Sequence, residues 1–108
     1  MHLTNLVGFF RGGGTFEDFC IKHELDREAE VIEVFAAKPF DLDMDLAFFP
    51  IEETGGTLQH TVNGIDYFNL FDFYYFLDAI EESKNAQNEA FSDRQIAEKL
   101  LTYAVNNA

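Results

Sequence analysis

Positive charge is what this chain has least of. Among its 108 residues, 7 Lys and Arg face 20 Asp and Glu, a formal net charge of −13 with the histidines neutral. A surface that neutralises phosphates needs a basic stripe, and no ten consecutive residues here hold more than two Lys or Arg. Binding to nucleic acid or to an anionic membrane is therefore not expected. Cysteine is almost missing as well. Cys20 stands alone, which excludes an internal disulfide framework and suits a reducing, cytoplasmic setting. No apolar run approaches the roughly 18–20 residues of a membrane span, and the first residues lack the basic start and apolar stretch of a secretory signal.

Tryptophan is absent, yet the chain carries 13 Phe and 4 Tyr. Each aromatic buries about 150–250 Å², so the expected core is dominated by phenylalanine. A chain this rich in large apolar residues folds despite its charge. Its length fits a single globular domain over residues 1–108, able to bury roughly 60–70% of its unfolded surface.

Leu3, Leu6, Val7 and Phe10 share one helical face, and Gly12-Gly13-Gly14 ends that helix because glycine accepts the left-handed cap. Thr15 reads as the cap of a second helix from about Phe16 to Leu25, with Asp18 three residues on. Val31, Ile32, Val34 and Phe35 suggest an inner strand, apolar on both faces. From Phe40 to Phe48 the residues alternate strictly, with Phe40, Leu42, Met44, Leu46 and Phe48 on one side and Asp41, Asp43 and Asp45 on the other. That pattern predicts a half-buried strand ending at Pro50. Gly55-Gly56 is a turn, and Thr57 to Val62 form a strand. Asn63-Gly64 is a hairpin turn of type I′, with Ile65 to Phe68 returning. Asn69 then caps a helix whose broad apolar face is Leu70, Phe73, Tyr74, Leu77 and Ile80, although Phe71, Phe73 and Tyr75 also fit period two. After a polar connection over Lys84–Ala90, Ser92 and Gln95 form a capping box before a last helix. The expected fold is α+β: a small four-stranded, mostly antiparallel sheet with two N-terminal and two C-terminal helices, ααββββαα.

Five acids and no base lie between Asp41 and Glu53, namely Asp41, Asp43, Asp45, Glu52 and Glu53. The spacing from Asp41 to Glu52 matches the ends of an EF-hand calcium loop. Its sixth position, which must turn on glycine, is Leu46, so no metal or other cofactor is expected. Carboxylates crowded in this way repel each other. They either solvate the strand face and keep it from pairing with other strands, or they attract a basic partner. A second acidic stretch holds seven acids from Glu17 to Glu33 against Lys22 and Arg27, and Asp78, Glu81 and Glu82 lie on a later helix. Phe71 and Tyr75 are read as exposed anchors beside them.

Chemistry has few candidates. Cys20 and His23 are one helical turn apart, but the acids nearby disfavour a thiolate and zinc lacks a full ligand set. His60 lies opposite Asp66 or Tyr67 in the hairpin, a pair suited to general base work and equally ordinary as a cross-strand contact. The triple glycine lacks the Lys and Ser/Thr of a phosphate loop.

These features point to an acidic protein-binding module rather than an enzyme, one that neutralises a basic partner. Bacterial immunity and antitoxin proteins that inhibit nuclease toxins have this physical character. Its expected contact residues are Asp41, Asp43, Asp45, Glu52, Glu53, Phe71, Tyr75, Asp78 and Glu82, on a monomer or weak homodimer. Three alternatives remain: a nucleic-acid mimic that inhibits a defence enzyme, a small enzyme with a pocket near His60 and Asp66, and a homo-oligomeric adaptor.

Overall fold

A computed structural model of the chain describes residues 1–85 and 90–106. The expected connection over Lys84–Ala90 therefore lies partly outside the described residues. In chain order the elements are α1 (Leu3–Arg11), α2 (Phe16–Lys22), β1 (Ile32–Ala36), β2 (Leu46–Pro50), α3 (Ile51–Thr54), β3 (Gln59–Val62), β4 (Ile65–Asp72), α4 (Phe73–Ser83) and α5 (Asp93–Asn106). The α+β class holds, with α3 added between the second and third strands.

The sheet is antiparallel throughout, ordered β2-β1-β4-β3. All five residues of β1 are buried, as an inner strand with no polar face requires. Ile32, Val34 and Ala36 turn toward the helices and join Leu3, Leu6, Phe10, Phe19, Phe73, Phe76 and Leu100 in one core. Alternation sends Glu33 and Phe35 to the other face. There Phe49 of β2 meets Phe35 at 5.3 Å between ring centroids and His60 of β3 at 4.7 Å. β2 and β3 are the two edges, about 14 Å apart across three spacings of a flat sheet. Rings from both edges touch only because the sheet curls, and this concave side holds a second small cluster.

Three sequence expectations change. The Phe40–Phe48 strand shrinks to its last part, since β1 ends at Ala36 opposite Leu46 and leaves residues 40–45 without a partner strand. The Asp41 carboxylate instead accepts the Asp43 N–H at 2.8 Å and the Asp41 carbonyl accepts the Met44 N–H at 3.4 Å, a local turn that competes with a ladder. The alternation survives only as exposure: Asp41, Asp43 and Asp45 face water while Met44 and Leu46 are buried.

Asn69 does not cap a helix. Its segment stays in β4 up to Asp72, whose carboxylate accepts the Tyr75 N–H at 2.8 Å and caps α4. Between the pairs Val34↔Phe71 and Phe35↔Asn69 the register slips, leaving Leu70 as an extra residue. This bulge puts Leu70 and Phe71, each 5% exposed, into the same core. Finally, α2 stops at Lys22 rather than near Leu25. Glu24 takes a left-handed conformation (φ 55°) and the Leu25 N–H reaches back to the Cys20 carbonyl at 2.8 Å, folding Leu25 onto the core.

Candidate functional site

The antiparallel β1–β2 pair decides where the acids go. Asp41, Asp43 and Asp45 lie in the loop at the C-terminal end of β1, whereas Glu52 and Glu53 follow β2 on α3, at the opposite end. The length of β2, five residues and so roughly 17 Å, separates two groups that are contiguous in sequence. No ring of ligands closes between them, and among the described residues no three metal-binding side chains are gathered.

At the loop end, Asp45 lies 3.7 Å from the Met1 amino group and 3.5 Å from His2 Nε2. At the other end the arrangement is different. Glu52 accepts the backbone N–H of Glu30 at 3.0 Å, which joins α3 to the segment between α2 and β1. Glu24, Asp26, Glu28 and Glu30 on that segment are all exposed, as are Glu52 and Glu53. The exposed acids of the 24–30 segment and Glu52 and Glu53 of α3 thus lie on joined elements and form one acidic pole. Arg27 lies within it and is ion-paired to Glu17. The first stretch alone could not show this pole, because its two halves meet through residues 22 apart in sequence.

The aromatic anchors also move. Phe71 is buried in β4 and unavailable to a partner. Tyr75 is 36% exposed on α4 and stacks on Tyr103 of α5 at 4.1 Å. Its hydroxyl pKa is raised by burial, with Tyr103 and Glu82 adding to the effect. Asp78 and Glu82 are exposed on the same helix. Tyr74, expected on the apolar face of this helix, is instead 65% exposed, and its hydroxyl donates to the Glu30 carbonyl at 3.0 Å. The face that α4 buries is Phe73, Phe76, Ile80 and Ser83, and Tyr74 lies about 100° around the helix from Phe73.

His60 and Asp66 do not pair. His60 faces Tyr67 across the hairpin, and Asp66 accepts from the Thr61 hydroxyl at 2.6 Å. The imidazole instead lies 3.2 Å from Glu53 and packs edge-on against Phe49. Beneath it on the concave face is a buried polar node. Glu33, only 7% exposed, accepts from the Thr54 hydroxyl and the Asn69 amide, each at 2.7 Å. This node ties α3 to β1 and β4, and so fixes the helix that carries Glu52 and Glu53.

Cys20 is fully buried and burial pushes its thiol pKa up, with Asp26 adding to the rise and Arg27 opposing it. The thiol is thus an inert core group. His23 packs against Phe19 at 4.3 Å, and its Nε2 is buried with no hydrogen-bond partner among the described residues. Burial lowers its pKa below the usual 6.5, helped by Lys22 and the terminal amino group. The unfolded chain therefore takes up this proton first, so the stability that neutral His23 contributes is present above about pH 6.5 and lost as pH falls. Replacing His23→Leu should flatten the fall in melting temperature between about pH 6.5 and 5 relative to the native chain. Identical slopes for the two proteins would contradict this assignment.

Comparison with protein-family models, curated proteins and solved structures yields no match. Among the described residues no helix is long and apolar enough to cross a membrane.

Proposed function

We propose that this chain is an acidic binding module that covers a basic surface of a partner protein. Immunity and antitoxin proteins block the cleft of a nuclease toxin in this manner. The observation that carries the reading is the acidic pole, where Glu24, Asp26, Glu28 and Glu30 are joined to α3 through the hydrogen bond between Glu30 and Glu52. Crowding like charges at one end of a small domain costs stability through repulsion, and a basic partner relieves that cost on contact. The same field steers the encounter and speeds it. Phosphate backbones and anionic lipid surfaces are repelled by it, so the partner is a protein. The module works as a monomer or weak homodimer, in a cytoplasm where Cys20 stays reduced.

Expression together with its neighbouring genes, followed by native mass spectrometry at low salt, tests this. The expected species is a stoichiometric complex with a basic polypeptide that dissociates as salt rises. A bare monomer at every salt concentration would remove the inhibitor reading.

A further inference from the structure

Beside the acidic pole, a groove of about 270 Å³ runs between the segment leading into β1 and the first turns of α4. Its walls are apolar, formed by Phe16, Ala29, Ile32, Phe73 and Leu77. Its volume falls below the range of about 300–1,000 Å³ usual for small-molecule sites, which suits a protruding side chain better than a free ligand.

The rim has the opposite character. Glu30 lines the groove, Glu52 is hydrogen-bonded to Glu30, and the exposed Glu28 and Asp78 flank the two walls in sequence. Tyr74 also stands at the lip, its ring exposed but held by the bond from its hydroxyl to the Glu30 carbonyl. A ring fixed before binding loses little freedom when a partner arrives.

A long basic side chain fits an apolar trough with an acidic rim. Its methylene stem packs on the walls while its head stays at the rim among carboxylates, and a guanidinium can lie over the Tyr74 face. An arginine of the chain itself, Arg27, lines this groove, and its guanidinium is already neutralised by Glu17. We infer that this groove takes an arginine-bearing segment of the basic partner, with apolar residues flanking the arginine. The inference rests on the reading of the chain as an acidic binding module and names where and how that module grips.

The test uses a capped peptide of alternating arginine and leucine, with a glutamate–leucine peptide and polylysine as controls, followed by fluorescence anisotropy and amide chemical shifts. The arginine peptide should bind the native chain and shift amides in 27–32 and 73–78, while the glutamate peptide should not bind. Plugging the groove with Ala29→Phe, or removing the rim ring with Tyr74→Ala, should each weaken binding about tenfold at unchanged net charge. The shift map needs no variant, so it decides the matter even if a substitution disturbs folding. If both groove variants bind as the native chain does while Glu28→Gln with Glu30→Gln weakens binding, the groove inference falls and the acidic module stands. The same conclusion follows if polylysine binds but the arginine peptide does not. If neither set of variants weakens binding, or the glutamate peptide binds equally well, both readings fall.

Discussion

Phe19→Ala is expected to cost about 3–5 kcal/mol, a large share of the roughly 5–15 kcal/mol that holds a small domain folded. Phe19 is fully buried and stands where the helices and the sheet meet. Its ring lies 5.6 Å from Phe10 of α1, 5.3 Å from Phe73 of α4, 5.0 Å from Phe48 of β2 and 4.3 Å from His23. Edge-on and tilted rings at these separations attract beyond simple burial. Truncation opens a cavity that four different elements would have to collapse together to fill. Phe19→Leu keeps most of the volume and should cost less than half as much. Leu58→Ala, at a side chain 73% exposed, should lie within about 0.5 kcal/mol of the native chain. Urea melts give all three values. A loss under about 1 kcal/mol for Phe19→Ala would mean that α2 is not docked as described.

Glu33 gives the second large effect, and its two substitutions should differ sharply in size. The carboxylate is 7% exposed and is held by two neutral donors, Thr54 and Asn69. No cation lies within ion-pair distance of it among the described residues. Glu33→Ala strands both donors and leaves a void, a loss of about 2–4 kcal/mol. Glu33→Gln keeps an acceptor for Asn69, offers an amide to the Thr54 oxygen and removes a buried charge with no counter-ion. It should be neutral or stabilising at neutral pH. A loss on Glu33→Gln as large as on Glu33→Ala would show that the charge itself is needed. It would then count as part of the site rather than as the tie that holds α3.

Local rules made much of this fold legible. The Ser92–Gln95 box forms as expected, with Gln95 N–H to Ser92 Oγ at 3.1 Å and Ser92 N–H to Gln95 Oε1 at 2.8 Å. Thr15 caps α2 through the Asp18 N–H, and Asn63 and Gly64 take the positive φ of the hairpin turn, 52° and 80°. Each of these depends on residues within a few positions of one another. What could not be read depends on distant partners. The 40–45 segment has perfect strand alternation and no strand beside it. Asn69 is a good helix cap, yet its segment is needed between β1 and β3 to complete the sheet. The bulge at Leu70 and the curl that brings Phe49 to His60 leave no periodic trace.

The candidate site follows the same division. Acid excess was plain from composition, but its layout depends on β1–β2 pairing, which sends Asp41, Asp43 and Asp45 to one end and Glu52 to the other. Tyr74 has the spacing of a buried residue, four after Leu70 and three before Leu77, but Leu70 belongs to β4 and α4 packs through Phe73, Phe76 and Ile80.

A basic partner should meet first the proposed pole of Glu28, Glu30 and Glu52. The most direct measurement is the association rate of the co-purified partner against ionic strength. It compares the native chain with E28Q/E30Q/E52Q and with D41N/D43N/D45N, each removing three charges. The pole variant should associate about tenfold more slowly at low salt with a flatter salt dependence, while the loop variant stays within about twofold of native. Equal slowing in both, or slowing in the loop variant alone, would contradict the account and move the interface to the other end of the sheet.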